Sequence, residues 1–457
     1  MAKASRLLEA GDSLEAETLA IEAIVLAPGW AETVYLLGRI LEGQGLIEEA
    51  IACHRGNLPA RFSSTFADVV TALDTAALQS KATASEVTAG KSVAMDRTVV
   101  FEASRIGLPA PGQVAAQAPR VLERRQIAVA ACHVDRIVGG ELWQEAHNTL
   151  VRDATGRVID AHTMGNPELV QTLMASHDAV DLGERVILLG ARGSGNYYHW
   201  MTDILPKLEL CRRSGITLRP ADRVLLPTYR SSFQVESLAR LGVKEKQIIF
   251  ADQLSPYVTA REVIAPCLSN AMATTMGAWL PAFLKKAFLP PGNRPAASRR
   301  IFVSRHAARS QGRAIENLEE VETFFADRGF DIVYPETLDI QAQAHLFAES
   351  RLVAAPHGAG LTNLVFCASG TRIIEFYGAH LAPCYHAMSA LCGLRYYAHH
   401  CADHPSDHGT DAGECEFDRA RTLAARRTAG FSIDTEAISA LLDLIDPAPD
   451  QPMQRRA

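Results

Sequence analysis

A histidine and an aspartate lie four residues apart in GNYYHWMTDILPKL, residues 195–208. Four residues is about one helical turn, so His199 and Asp203 would share one face of a helix. A neighbouring carboxylate fixes the tautomer of an imidazole and stabilises its charged form. The spacing favours His199 as a general base that Asp203 orients, although a histidine in such a position is often purely structural.

Polar and aromatic residues surround this histidine. Asn196, Tyr198 and Trp200 lie next to it in the sequence, and flat aromatic faces suit a sugar ring. The same residues are also typical of a helix that begins at an asparagine cap and buries its aromatic side chains. The sequence leaves both interpretations open.

A second candidate site is the turn His357-Gly358-Ala359-Gly360, which separates an apolar run typical of a strand from a helical pattern. Glycines let a backbone approach a ligand closely, and the first N–H groups of a helix have no partners within it. Such a turn suits a diphosphate, with His357 as a further donor. A tight turn without a ligand is the alternative, because the segment matches neither common nucleotide-binding motif.

Charged residues near neighbouring strands favour the diphosphate. Arg305 ends one predicted strand and Arg313 lies in the loop after it. Guanidinium groups pair bidentately with phosphate oxygens. Glu375 lies in a later strand, where a carboxylate would accept hydrogen bonds from ribose hydroxyls. For each arginine alone, a surface ion pair is the alternative.

Two sets of short apolar runs must position these residues. In the first set, runs bounded by turn residues predict buried strands at 125–134, 185–190, 223–228, 247–252 and 262–267, with helices at 199–213 and 231–241. The second set follows the proline-containing segment 289–298. Its strands are predicted at 300–305, 331–335, 351–356 and 372–378, with helices at 317–328, 338–349 and 361–367. Short connections of this kind predict a parallel sheet covered on both faces. Two such α/β lobes joined by a hinge would enclose a cleft at the carboxyl ends of their strands.

The composition excludes several classes of protein. Apolar residues make up 48% of the 457 residues and charged residues 21%, with a net charge of −7. This charge does not favour a nucleic-acid partner. Nine scattered cysteines without a C-x-x-C pair predict free thiols rather than disulfides or a zinc module. No apolar run approaches the ~20 residues of a membrane span, so we expect a cytoplasmic protein, either free or peripheral to the inner face of the membrane.

Residues 1–56 show a 34-residue spacing. Gly11 and Gly45 are related by it, and so are Ala16 and Ala50. The pattern resembles one and a half to two tetratricopeptide repeats, which would provide a docking surface for a protein partner. A simple helical hairpin is the alternative.

Taken together, NYYHWMTDILPKL, IFVSR, LDIQAQAHLF and HGAGLTNLVFCASGTRIIEFYG resemble glycosyltransferase family 61, over about residues 120–400. The resemblance implies a GT-B fold with two Rossmann-like lobes, an inverting mechanism and a nucleoside diphosphate sugar as donor. It carries family positions onto Asn196, His199, Asp203, Arg305, Arg313, Asn317, Gln343, Asn363 within 357–363, and Glu375. The chain departs from the family where Leu318 follows Asn317 in place of a glutamate.

The sequence patterns, together with the resemblance over about residues 120–400, predict a domain order. We expect a tetratricopeptide-like segment at 1–56, a linker and irregular region at 57–120, an N-terminal lobe on the acceptor side at 121–290, a nucleotide-sugar lobe at 298–430, and a C-terminal helix and tail at 431–457. The expected reaction is sugar transfer to a hydroxyl of a glycan, lipid-linked or protein acceptor, in surface polysaccharide synthesis.

No cofactor or metal is expected. Metal-dependent glycosyltransferases hold their cation with Asp-x-Asp, which is absent from this chain, so activity should survive a chelator. The histidine-rich stretch 396–408 is a conceivable metal site, but a solvent-facing linker is the favoured interpretation. Two further functions stay open: a catalytically silent adaptor that docks a partner through the N-terminal helices, and a dehydrogenase, which the missing G-x-G-x-x-G disfavours.

Overall fold

The computed structural model describes residues 37, 40–41, 95–111, 122, 125–144, 149–164, 167–190, 193–227, 231–268, 276–292, 296–305, 314–378, 382–401 and 430–446. Leu37, Ile40 and Leu41 are helical and buried. The rest of the predicted tetratricopeptide-like segment lies outside the described residues, as does Arg313. Among the described residues, no helix is both long and apolar enough to cross a bilayer.

The first unit is built on an eight-stranded mixed sheet. Its strands are β1 (Met95–Phe101), β4 (Cys132–Gln144), β5 (Thr149–Arg152), β6 (Val180–Asp181), β7 (Arg185–Leu188), β8 (Arg223–Leu226), β9 (Ile248–Phe250) and β10 (Tyr257–Cys267). The main order is β1-β4-β10-β7-β8-β9. Strand β4 is antiparallel to its neighbours β1, β5 and β10, whereas β10, β7, β8 and β9 run parallel. A separate hairpin pairs β2 (Ser104–Gly107) with β3 (Gln126–Val129).

Helices lie between or after the strands of this sheet along the chain. They are α1 (Pro167–Ser176), α2 (Tyr197–His199), a π-helical segment (Trp200–Ile204), α3 (Leu205–Arg213), α4 (Ser232–Arg240) and α5 (Leu280–Phe288). Two 3₁₀ turns occur as well, at Asp160–His162 and Glu245–Gln247. Helix α2, which follows β7, carries the candidate residue His199.

The second unit is a five-stranded parallel sheet. Its strands are β11 (Arg299–Val303), β12 (Asp331–Val333), β13 (Ser350–Pro356), β14 (Arg372–Tyr377) and β15 (Arg395–His400), in the order β12-β11-β13-β14-β15. Helices α6 (Leu318–Asp327), α7 (Ile340–Ala348), α8 (Cys384–Cys392) and α9 (Thr435–Ile445) accompany it, together with 3₁₀ helices at Pro335–Thr337 and Ala359–Phe366. The order reverses between β11 and β13, so the crevice beyond their carboxyl ends is a topological switch point.

One buried cluster joins the two units. It contains Ile187 and Val224 of the first sheet together with Val303 and Val353 of the second, and helical residues such as Phe366 between them. Polar contacts reinforce the junction: the Lys285 ammonium donates to the Cys367 carbonyl at 2.7 Å. Apolar packing is therefore continuous between the two sheets at this junction.

Two strands lie where the sequence predicted irregular chain. Strand β1 falls within the predicted linker 57–120, yet it pairs with β4 over most of its length. Strand β15 occupies the first part of the histidine-rich stretch, and it pairs with β14. Both strands escaped prediction because their pairing depends on partners distant in sequence. Helix α9 agrees with the helix predicted in the C-terminal region, and it packs into the second unit, where Asp446 pairs with Arg300 and Arg351.

Candidate functional site

The helix that carries His199 is widened immediately after it. Trp200–Ile204 is π-helical, and the Leu205 N–H bonds the Trp200 carbonyl five residues earlier. Pro206 follows, lacks an N–H, and in a regular α-helix its ring would clash with the carbonyl four residues before it. The wider turn relieves that clash, and π-turns of this kind are frequent at functional sites.

His199 and Asp203 form the predicted pair. The His199 Nδ1 lies 2.7 Å from Asp203 Oδ2, and the two side chains are 31% and 16% exposed. Asp203 Oδ1 accepts a second hydrogen bond, from Thr202 at 2.9 Å. Because the carboxylate occupies Nδ1, it favours the tautomer with Nδ1–H, which leaves Nε2 to accept a proton.

The turn before this helix holds the ring of His199 in place. Gly193 has φ +82°, and a Cβ built on it would lie 2.7 Å from His199 Cδ2. Any other residue would therefore strain the backbone and displace the imidazole. The glycine-rich sequence of this turn has a steric function toward the histidine.

A buried lysine lies one helical turn beyond Asp203. The Lys207 ammonium donates to the carbonyls of Leu189 and Gly190, at 3.1 and 3.0 Å, just after β7. Burial lowers the pKa of Lys207 to about 8, against a smaller opposing effect of nearby Asp203 and cysteines. Sequence reasoning missed this residue, although the four-residue spacing from Asp203 was a usable signal.

The aromatic neighbours of His199 are packing residues. Asn196 caps the helix by accepting from the Tyr198 N–H at 2.9 Å. Trp200 is fully buried, and its indole N–H donates to Ser237 at 2.8 Å. The prediction of a sugar-stacking role is therefore wrong for Trp200, because tertiary packing covers both faces of its ring. Tyr198 is 6% exposed and lies edge-on to His199.

The second candidate turn follows β13 at the switch point. Its helix is 3₁₀ and begins at Ala359, and the first N–H to bond within the turn is that of Leu361, to the Gly358 carbonyl at 3.0 Å. The N–H groups of Ala359 and Gly360 precede that bond. Both residues are partly exposed, whereas His357 is 8% exposed.

Arg305 spans the switch point from the end of β11. Its Nη1 donates to the His357 carbonyl at 2.9 Å. A Cβ built on Gly358 would lie 3.1 Å from Arg305 Cζ. The backbone of Gly358 is extended, at φ 176°, so glycine is needed there for space and not for conformation.

Glu375 supports His357 and does not face the solvent. It is fully buried, with Oε1 at 2.5 Å from His357 Nδ1 and Oε2 accepting from the Tyr396 hydroxyl at 2.5 Å. Burial, together with the negative charge of Glu375, raises the pKa of Tyr396 and of Tyr377 well above the usual value. The prediction that Glu375 contacts a ribose directly is therefore wrong, because both its oxygens are engaged by buried side chains.

Asn363 connects the two units. Its Oδ1 accepts from the Tyr197 hydroxyl at 2.8 Å, and its Nδ2 donates to Gln343 Oε1 at 2.7 Å. Gln343 in turn donates to the carbonyls of Pro335 and Leu338. Asn363 is fully buried, so it serves as a junction residue rather than as a surface contact to a donor.

Aromatic rings link the two candidate sites. Tyr198 lies 5.4 Å from His199 and 5.7 Å from Tyr385, and Tyr385 lies 5.2 Å from His357, measured between ring centroids. The structure thus brings the His199 pair and the His357 turn to the same junction. Tyr385 on α8 had no signal in the local sequence, because only the tertiary fold places it there.

Among the described residues, Asn317 contacts the segment before α9 and not the residues of the two candidate sites above. Its amide donates to the Ile433 carbonyl at 2.9 Å and accepts from the Ile433 N–H at 3.0 Å. These bonds attach the start of α6 to the segment before α9. Through these bonds Asn317 holds the C-terminal segment in the second unit.

The candidate groups lie at the carboxyl ends of parallel strands in a mixed α/β fold, which is where α/β enzymes bind their ligands. Residues 197–374 match the family model described as Glycosyltransferase 61, and this match indicates a glycosyltransferase domain. The matched segment includes parts of both sheets. It begins one residue after Asn196 and ends one residue before Glu375. No curated protein matches the chain.

Proposed function

We propose that this protein is an inverting glycosyltransferase of the GT-B type. It moves a sugar from a nucleoside diphosphate sugar to a hydroxyl of a glycan, lipid-linked or protein acceptor, in surface polysaccharide synthesis. The observation that carries the proposal is the meeting of two dissimilar groups at one junction: a carboxylate-paired histidine from the first unit, and a glycine turn with an arginine from the second. The family match supports the transferase class.

His199 is the proposed general base. Asp203 holds its Nδ1, so Nε2 takes the proton of the acceptor hydroxyl as that oxygen attacks the anomeric carbon. The attack comes from the face opposite the diphosphate and inverts the configuration. Asp203 then stabilises the imidazolium that forms.

The switch point of the second sheet is the proposed donor side. Negative charge develops on the leaving diphosphate, and Arg305 with the N–H groups of Ala359 and Gly360 would stabilise it. His357, held by Glu375 at Nδ1, would donate or accept through its other nitrogen. Arg313, in the sequence segment after Arg305, is proposed to contact the diphosphate of the nucleotide sugar as well. Removing one preorganised donor of this kind typically costs about 2.7–4 kcal/mol of transition-state stabilisation.

Replacement of His199 tests the proposal. A thermal-shift screen of nucleoside diphosphate sugars first identifies the donor. In His199→Ala, kcat should fall by about 10²–10⁴-fold while the Kd of the donor stays within a few-fold, because the base acts on the acceptor. Steady-state turnover and donor titration measure the two quantities.

A matched control is His345→Ala, which removes a partly exposed helix histidine on α7. This variant should keep both kcat and donor affinity. Turnover near the wild-type level in His199→Ala would place the base elsewhere. A chain that binds none of the nucleotide sugars would contradict the function itself.

The donor side is proposed to work without a divalent cation, since arginine side chains and backbone N–H groups would bind the diphosphate there. Turnover should therefore persist in buffer without added Mg²⁺ or Mn²⁺. Loss of turnover in EDTA that Mn²⁺ restores, and that Zn²⁺ does not, would contradict this part of the proposal.

A further inference from the structure

A cluster of metal-binding residue types lies in the first unit, away from the groups described above. His133 and Asp135 are two residues apart on β4, so their side chains project from the same face of the sheet. Cys267, at the end of β10, is the register partner of His133 on the neighbouring strand. Directly opposed residues in antiparallel strands also share a face, so all three side chains converge.

A third segment completes the cluster. His162, in the 3₁₀ turn after β5, places Nε2 at 2.9 Å from Asp135 Oδ2. The neighbouring Ala161 carbonyl accepts from the Cys267 thiol at 3.3 Å. One nitrogen or oxygen atom from each of His133, Asp135 and His162 lies within 4.8 Å of the others. Their side chains are 12%, 0% and 3% exposed.

One nitrogen in this cluster is buried without a hydrogen bond. His133 Nε2 has no hydrogen-bond partner among the described residues, and it points at Asp135 Oδ2 from 3.6 Å. Burial without a partner costs free energy, because in the unfolded chain this ring nitrogen would form a hydrogen bond with water. A cation between His133, His162 and Asp135 would satisfy it.

The ligand chemistry selects the metal. Two imidazole nitrogens, one carboxylate oxygen and one thiol suit Zn²⁺ rather than Mg²⁺ or Ca²⁺, which prefer oxygen ligands. Ligand atoms around a tetrahedral zinc lie roughly 3.3 Å apart, close to the 2.9 and 3.6 Å that separate the two histidine nitrogens from Asp135.

Arg97 does not displace this cation. Its Nε and Nη2 each donate to Asp135 at 2.7 Å, one to each oxygen. Its side chain is 41% exposed, so water solvates much of its charge. Hydrogen bonds from an outer residue orient a ligating carboxylate in many metal sites.

We propose that His133, Asp135 and His162 bind one Zn²⁺, with the Cys267 thiolate as the fourth ligand. The ion is structural: it fastens β4, the 160–162 turn and the end of β10 together. The proposal revises the expectation of no metal, which was drawn from linear motifs.

The test measures metal in the full-length protein, purified through a tag without histidines. Elemental analysis should find about one zinc per chain in the wild type. His162→Gln and His133→Gln should each lose most of it. The control His177→Gln removes an exposed histidine and should retain the zinc.

Cobalt substitution checks the ligand set independently of variant stability. The Co²⁺ protein should show visible bands typical of tetrahedral coordination and a thiolate charge-transfer band. Cys267→Ser should remove only the charge-transfer band, and Cys401→Ser should leave both unchanged. Wild-type protein that holds no stoichiometric metal, before and after dialysis against Zn²⁺, would overturn the proposal. The readout is independent of transferase activity, so the proposed function stands or fails separately.

Discussion

Arg305 and Gly358 show how a residue without a side chain determines the position of a charged one. The guanidinium carbon of Arg305 lies 3.1 Å from the position that a Cβ on Gly358 would take, and Nη1 donates to the carbonyl of His357. A glycine at position 358 therefore leaves room for the Arg305 side chain. The sequence shows the glycine but not the arginine that lies beside it.

Gly358→Ala tests this at the residue scale. The new methyl group would press on Arg305 and move it, so the Kd for a nucleoside diphosphate should rise about tenfold to a hundredfold. That factor corresponds to the loss of about 1.5–3 kcal/mol from one charged hydrogen bond. Isothermal titration calorimetry measures the change.

Gly107→Ala is the matched control, because a Cβ there meets nothing within 4 Å. It should leave the Kd unchanged. Equal affinities of the Gly358→Ala variant and the wild type would mean that Arg305 does not contact the diphosphate.

At the scale of elements, helix α3 depends on a buried charge. Lys207 bonds the two carbonyls that follow β7 and so attaches the helix to the strand end. Those carbonyls are neighbours of the turn that carries Gly193. The lysine thus couples the strand, the turn and the π-helical segment that positions His199.

This burial predicts a pH dependence of stability. The pKa of Lys207 is about 8 in the fold, against 10.5 for a free lysine. Between these values the unfolded chain binds more protons than the folded one, so the free energy of unfolding should rise with pH. The slope is at most about 1.4 kcal/mol per pH unit, or roughly 3 kcal/mol in all.

Urea unfolding at several pH values between 7.5 and 10.5 measures the effect, as the difference between the wild type and Lys207→Met. As the pH rises, the free energy of unfolding of the wild type should increase relative to that of Lys207→Met. Lys246→Met, at an exposed lysine, should give a constant difference. A flat curve for Lys207→Met would show that the lysine stays charged in the fold.

At the scale of the whole molecule, a tyrosine–asparagine hydrogen bond lies within the junction of the two units. The hydroxyl of Tyr197 in the first unit donates to the buried amide oxygen of Asn363 in the second. Burial raises the pKa of Tyr197 far above its usual value, so the hydroxyl keeps its proton and remains a donor. The shared hydrophobic cluster supplies the area of contact, and this hydrogen bond specifies its alignment.

Tyr197→Phe should lower the free energy of unfolding by about 1–3 kcal/mol, since it leaves the Asn363 oxygen buried without its donor. Chemical denaturation measures the loss. Tyr334→Phe also removes a tyrosine hydrogen bond, to Glu322 near the surface, and should change stability by less than about 0.5 kcal/mol. Equal decreases in the free energy of unfolding of the two variants would show that the bond to Asn363 stabilises the fold no more than a bond near the surface.

Local patterns predicted much of the second unit. The alternation of apolar strands with capped helices placed β11, β13, β14 and α7 within a few residues of their positions. The spacing of His199 and Asp203 predicted their contact, because a helix turn is set by backbone geometry alone. Such features depend on residues that are close in sequence.

Pairings between distant segments needed the tertiary structure. The antiparallel strands β1 and β4, the burial of Trp200 and the contact of Glu375 with Tyr396 join residues far apart along the chain. The convergence of His133, His162 and Cys267 is of the same kind. The sequence by itself determined which residues form strands, helices and the first histidine–carboxylate pair. Only the packing of the two sheets decided which polar groups meet, because long-range contacts depend on the summed burial of many side chains and not on any local pattern.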